Sequence, residues 1–462
     1  MTDPNEPTHR TAPTHLADGT HSADATRPAE PTHPADGAHP TERARPADGT
    51  DPAVPAGPLR LDNSTKLLAR GRLVDATLSE KDYVIERDRL VDGAYPVYGE
   101  RARGARVWDA DGNEYLDYIL AYGTIILGHA DPAVTEAALR EIEEGFSITL
   151  RKRTQIELAE RLVQVIPGAE RVFLLKTGSD ATSAAVRLSR AFTGRDRVVR
   201  WGYNGWHDWA AQRPGGIPDT VRTQVDTFRY NDLDSLREVF RRHPGEVACL
   251  LLMPFELDAP EPGFLQGAVD LAHEHGALAV FDEMRSGFRV ALGGAQELFG
   301  VRADLATFSK AMANGWAVSA LTGRAEVMAM VGRTHISSTF YSNTVAMAAA
   351  LATMDRLADG TPLERVRTLG TRLQEGLAGL AGRHGVPARV RGVPQMPFLT
   401  FEHPDPGRSR VLQDAFFTET TRRGVLLHPT HHWFVCAATT DADLDHTLAA
   451  CDEAFRVAAE AA

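Results

Sequence analysis

Cysteine is scarce in this chain. Its three copies, Cys249, Cys436 and Cys451, are too few and too scattered for a disulfide framework or a zinc site. That points to a reducing, cytoplasmic setting, with Cys249 serving as a small hydrophobe inside an apolar run. Long apolar stretches are missing as well. The run from Val247 to Phe255 is among the longest, far short of the ~20 residues that cross a bilayer. An excess of basic charge is also missing: 50 Lys and Arg stand against 62 Asp and Glu, a net charge of −12. This balance argues against a nucleic-acid or anionic-membrane partner and says nothing against a small substrate. No apolar h-region follows the N-terminal charges, so no secretory signal is expected. What the chain does have is length and ordinary apolar content. With 462 residues, 43% of them hydrophobic, it can bury a large core in more than one lobe.

Residues 1–58 stand apart. A degenerate repeat runs through them, as in Thr14-His15-Leu16-Ala17-Asp18-Gly19 and Thr32-His33-Pro34-Ala35-Asp36-Gly37. Pro, Gly, Ala, Thr and Asp dominate, so the segment cannot bury enough surface to offset its ordering entropy. It reads as a disordered tail. Beyond it, Val107 to Leu116 reads as a hairpin around an Asp/Gly/Asn turn. Helical patterns follow near 133–144 and 153–165. Strands then alternate with helices: Val172–Leu175, a helix over 179–193, Val198–Trp201, Val247–Met253 and Ala277–Phe281, with helices near 232–241 and 264–275. Continuous apolar runs of this kind suit strands buried on both faces. The expected fold is α/β with a mainly parallel sheet in a large domain, 121–345. Long helices and a few strands over 346–462, with a final helix from about 441, predict a smaller α+β lobe, which 59–120 joins.

Two strand ends carry the chemistry. Leu278-Ala279-Val280-Phe281 delivers Asp282. Thr307-Phe308-Ser309 delivers Lys310, 28 residues later (310 − 282). This pairing suits pyridoxal phosphate (PLP): the acid holds the pyridine nitrogen protonated and the lysine forms the Schiff base. Each has a plainer reading, as a helix cap or a surface charge. A lysine between an apolar strand and a Gly-containing loop, however, can be desolvated and reactive. A buried acid needs a charged or hydrogen-bonded partner. Thr177-Gly178-Ser179-Asp180 lies at a strand-to-helix turn, where Gly lets the backbone approach and helix N–H groups meet an anion. Tyr203, in an aromatic and Gly-rich loop, either packs the core or lies flat on a planar cofactor. Ser337 to Asn343 offers a second hydroxyl-rich anion site. His428, His431, His432 and Trp433 cluster near a C-terminal strand, as an active-site rim or, with less support, as metal ligands.

These residues resemble the class III (ω-type) PLP-dependent aminotransferases of fold type I, above all the subgroup around glutamate-1-semialdehyde 2,1-aminomutase. The likeness runs from about residue 90 to the C-terminus. It rests on Asp111-Gly112-Asn113, Leu127-Gly128-His129, Gly178-Ser179-Asp180-Ala181, Asp282 to Arg289, Gly293-Gly294-Ala295-Gln296 and Lys310. The resemblance implies that Lys310 holds the cofactor and then carries the reacting proton, that Asp282 binds the pyridine nitrogen, and that Gly178 and Ser179 hold the phosphate. It implies Tyr203 on one ring face, Met284 on the other, and Tyr122 near the substrate entrance. Thr339 would reach the phosphate of a neighbouring subunit, making a homodimer obligatory. Four positions depart from the pattern: Asn204 replaces a histidine, Asp258 replaces an amide expected near the cofactor phenol oxygen, Met284 replaces a valine, and Tyr98 replaces an arginine for the substrate carboxylate. A phenol forms no bidentate ion pair. Arg391 is then either a substitute anion clamp or a surface charge. The expected activity is transfer of an amino group from an amino acid, with glutamate the first candidate, to a keto or aldehyde acceptor, as in amino-sugar or other specialised metabolism. An aminomutase or epimerase on the same scaffold, or a non-catalytic PLP-fold protein, are the alternatives.

Overall fold

Burial on both faces organises the large sheet. In the computed structural model, which describes residues 60, 62–74, 96, 98–213 and 215–461, seven strands form it. Three others come first in the chain: β1 (Gly99–Arg103), β2 (Arg106–Asp109) and β3 (Glu114–Asp117). The seven are β4 (Arg171–Leu175), β5 (Arg197–Trp201), β6 (Val225–Thr227), β7 (Val247–Leu252), β8 (Leu278–Asp282), β9 (Leu305–Phe308) and β10 (Ser319–Gly323). Their order is β4-β10-β9-β8-β7-β5-β6. Strands β6, β5, β7, β8 and β9 pair in parallel, while β10 runs antiparallel to both neighbours. Successive side chains point to opposite faces, and both faces are covered. Leu251, Val280 and Leu305 join the core cluster with the helix Gly178–Thr193, while Leu250, Leu252, Phe281 and Phe308 join the cluster with Phe264–Glu274.

The hairpin reading of 107–116 appears as the antiparallel pair β2–β3. Asp109 shapes its turn, accepting from the N–H groups of Asp111 and Asn113 at 3.0 and 2.8 Å. A fourth strand, β13 (Val425–Leu426), lies parallel to β3 and ties the C-terminal part to this hairpin. The two strands that precede β13, β11 (Ala388–Arg391) and β12 (Phe398–Phe401), form a separate antiparallel pair. The long helices expected after residue 343 are Val345–Leu357, Thr361–Arg383, Pro406–Arg422 and Asp441–Ala461. All described residues fall within one compact unit, Val54–Ala462. The tail expected over 1–58 lies outside the described residues. Among them, no helix is long and apolar enough to cross a membrane.

Candidate active site

The carboxyl ends of β4, β5, β7, β8 and β9 open onto one cavity of about 640 Å³. In sheets of this kind ligands bind outside the carboxyl ends of the strands. Asp282 ends β8. Lys310 follows β9 on a short 3-10 turn, Lys310–Ala313.

Lys310 is held in an unusual conformation. Its φ of 48° lies in the left-handed region, which costs an L-residue about 1–2 kcal/mol. Its Nζ donates to the Tyr122 carbonyl at 3.0 Å. That carbonyl sits in a turn whose members are left-handed too: Leu120, Ala121 and Tyr122 have φ of 46°, 48° and 58°. Two buried side chains hold this turn and its sequel. Arg289 donates to the carbonyls of Gly123, Ile125 and Val435. Asn314 Oδ1 accepts from Ile126 and Leu127 N–H, both at 2.9 Å. Strain of this kind persists only where surrounding contacts over-determine it.

Asp282 is 2% exposed. Its Oδ2 accepts from Asn204 Nδ2 at 2.8 Å and its Oδ1 from Met284 N–H at 3.2 Å. Burial pushes its carboxyl above the usual carboxylate range, against the pull of Asn204, Met284 N–H and the charges of Arg285 and Lys310. A buried acid so placed is relieved by a cationic N–H, as a protonated pyridine provides. Asn204 Oδ1 is itself buried without a partner among the described residues. These features are compatible with a ring nitrogen that carries a proton.

The neighbouring acid does structural work. Glu283 is fully buried and accepts from the Ser286 hydroxyl and from Ala295 and Gln296 N–H at 2.8 and 2.9 Å. Burial lifts its carboxyl from 4.5 to about 7, more than these bonds lower it. The folded protein therefore keeps a proton that the unfolded chain has released. The stability this proton brings is complete below pH 4.5 and is lost as pH rises through about 7. Glu283→Gln, neutral at every pH, is expected to show a shallower fall in stability over that window. Denaturant melts at several pH values check this; parallel slopes would contradict it.

A helix N-terminus borders the same cavity. Thr177 and Asp180 form a capping box at the start of the helix Gly178–Thr193. The box occupies Asp180 N–H and leaves Gly178 and Ser179 N–H without an acceptor among the described residues. Ser179 Oγ accepts from Trp206 N–H at 3.3 Å and presses on Gly205, where a Cβ would stand 2.5 Å away. With φ of 106°, Gly205 could not readily be another residue. Two open N–H groups and a hydroxyl at a helix N-terminus fit a phosphate. Together with Asp282 and Lys310 they fit PLP.

Met284, Tyr203 and Tyr122 line the same cavity. Tyr203 is half-exposed at its mouth. Tyr122 meets the edges of His431 and His428, at centroid distances of 5.1 and 6.0 Å. Burial holds His431 far below its ordinary pKa, reinforced by the charges of Arg285 and Lys310, so its imidazole is neutral. His431 thus contributes a neutral ring to the rim, and no group of three or more His, Cys, Asp or Glu among the described residues is arranged for a metal.

Four sequence-predicted residues are placed elsewhere. Asp258 and Arg391 do not line the cavity; Arg391 Nη2 donates to both Asp258 oxygens at 2.7 and 2.6 Å. The expectation is Asp258 beside a cofactor oxygen and Arg391 as a substrate clamp or a surface charge; here the two pair with each other, while Arg391 Nε is buried without a partner among the described residues. Asp258 is 57% exposed, and such a pair contributes about 0–1 kcal/mol. Asp258→Asn is therefore expected to leave cofactor affinity within about twofold of the parent. A tenfold loss by spectral titration would contradict this. Tyr98 lies outside the cavity, with its hydroxyl buried and unpartnered among the described residues. Thr339 is exposed on the turn Thr339–Ser342. Three residues that the site does use were not singled out for it from the sequence: Asn204, Arg285 and Glu256. Arg285 stands inside the Asp282–Arg289 motif, but its direction is visible only in three dimensions.

Comparison with known proteins identifies the family. Residues 91–208 and 222–455 match the family Aminotransferase class-III. Over 374 residues the chain is 39% identical to the 3-aminobutyryl-CoA aminotransferase of Cloacimonas acidaminovorans, covering 79% of this chain and 90% of that one. Over 400 residues it is 35% identical to the glutamate-1-semialdehyde 2,1-aminomutase of Chloroflexus aggregans, covering 79% and 91%. Its fold superposes on the PLP internal aldimine form of the FumI protein of Sphingopyxis sp. MTA144 with a TM-score of 0.81, at 33% identity, over 85% of this chain and 95% of that one. The chain belongs to the class III aminotransferases, enzymes of fold type I that work with pyridoxal phosphate.

Proposed function

We propose that the enzyme moves an amino group from an amino acid, glutamate first, to a keto or aldehyde acceptor. The convergence of Lys310, Asp282 and an open helix N-terminus in one cavity carries this reading. When bound, PLP supplies an electron-withdrawing ring beside the carbon that carries the amino group. Lys310 supplies the amine that holds the cofactor and moves the proton at the reacting carbon. Asp282 keeps the ring nitrogen protonated, with Asn204 and Met284 N–H fixing its two oxygens. Gly178 and Ser179 bind the phosphate. Met284 and Tyr203 bound the ring, and Tyr122 and His431 exclude water at the entrance.

The same reading includes a homodimer in which Thr339 serves the neighbouring site. Its support is that two large aromatic side chains are left exposed on one chain, Trp206 at 70% and Phe340, next to Thr339, at 61%. Full activity from a monomer in sedimentation would contradict it. It also includes the lobe division at 345/346, which the β3–β13 pairing supports by joining the two terminal parts.

The test is a half-reaction. L-Glutamate added to the PLP-loaded enzyme should bleach the cofactor absorbance and release one equivalent of 2-oxoglutarate. No 2-oxoglutarate, with turnover of a single amino compound and no external donor, would favour the aminomutase or epimerase reading.

A further inference from the structure

Arg285 is a cation that the reaction described above leaves without a task. It lines the same cavity as Lys310 and Asp282, and its side chain is only 11% exposed. Its Nη1 donates to Glu256 Oε1 at 3.0 Å and lies 3.3 Å from His432 Nδ1. Nε and Nη2 have no acceptor among the described residues. A guanidinium kept this far from water is costly, and an apolar side chain in its place would pack without that cost.

The surroundings hold the guanidinium and leave one edge open. His432 Nε2 donates to the Glu256 carbonyl at 3.0 Å, so its Nδ1 carries no proton and accepts from Arg285. Burial, with the Arg285 charge beside it, keeps that imidazole neutral, at about 3. His432 therefore orients the guanidinium without repelling it. Glu256 is the weaker constraint. Its backbone is fixed by His432, but its carboxylate is 35% exposed and can turn into solvent. The other arginine considered for an anion, Arg391, is occupied by Asp258. Among the described residues, Arg285 is the only arginine that lines the cavity.

We propose that Arg285 is the anion-binding residue of this active site, taking a carboxylate of the amino-acid donor in place of Glu256. The planar fork of a guanidinium matches a carboxylate with two parallel N–H donors, which neither Tyr98 nor a lysine can offer. The assignment rests on the aminotransferase reading and names its substrates as carboxylate-bearing.

The experiment is calorimetric binding of glutarate to the PLP-loaded enzyme. Glutarate carries two carboxylates and no amine, so it binds without reacting. Arg285→Gln should weaken glutarate about 10- to 100-fold, the loss of charge-assisted hydrogen bonds. Arg285→Lys, which keeps charge but not the fork, should lose less. Glu256→Gln should bind glutarate more tightly than the parent, because the competing carboxylate is gone. These opposite directions separate the proposal from general damage to the site. Unchanged affinity in Arg285→Gln, weaker binding in Glu256→Gln, or no glutarate binding by the parent would overturn it. If glutarate behaves as expected but glutamate releases no 2-oxoglutarate, the donor assignment fails while Arg285 stands as the anion site.

Discussion

Lys310→Ala should lower transamination by at least about 10²–10⁴-fold, the contribution of a positioned acid–base group, with the loss of the cofactor linkage added to it. No other lysine lines the cavity among the described residues, so none can stand in. The fold should survive. Lys310 Nζ donates to a carbonyl on a turn that Arg289 and Asn314 also hold. Its positive φ is a local cost that alanine shares. Far-UV circular dichroism and the melting curve of the apo form should match the parent. A small exogenous amine such as methylamine should restore part of the rate, since it replaces the missing base without its tether. A variant that folds normally and still turns over at a tenth of the parental rate would remove Lys310 from the reaction.

Asp282→Asn should give the second largest effect, and it should act oppositely on function and on stability. Breaking a buried ion pair costs about 3–5 kcal/mol, which corresponds to about 10²–10⁴-fold in cofactor affinity or turnover. In the apo protein the sign reverses. Burial raises the Asp282 carboxyl, so its charged form is penalised at neutral pH when no cation faces it. Asparagine removes that charge and keeps an acceptor for Asn204 or Met284 N–H. The apo variant should therefore melt no lower than the apo parent, while the loaded variant loses much of the stabilisation that PLP gives the parent. Equal loss of stability in both forms would mean that Asp282 is a structural acid.

Much of this site could be read from the chain because its parts end strands. Apolar runs such as Leu278–Phe281 announce buried strands, and whatever follows them lies at a sheet edge. That is why Asp282, Lys310 and the Gly178-Ser179 turn were accessible without coordinates. Strand β10 was not, because Ser319–Gly323 mixes Ser, Thr and Gly with its apolar residues and gains its identity only by pairing with β4 and β9. The loop after β7 shows a different limit. It carries two acids, Glu256 and Asp258, two residues apart. Sequence likeness favoured Asp258 for the site, yet Glu256 meets Arg285 in the cavity and Asp258 turns to Arg391, 133 positions away. Local pattern predicts which residues reach a sheet edge. It does not say which of two like charges finds its counter-ion inside.

The most direct measurement is to reduce the PLP-loaded enzyme with borohydride, which fixes the cofactor to the amine that holds it, and to map the labelled peptide by mass spectrometry. The account predicts one pyridoxyl group per chain, on Lys310, and none on the Lys310→Ala variant. A label on another lysine, or none on an enzyme that has bound PLP, would contradict it.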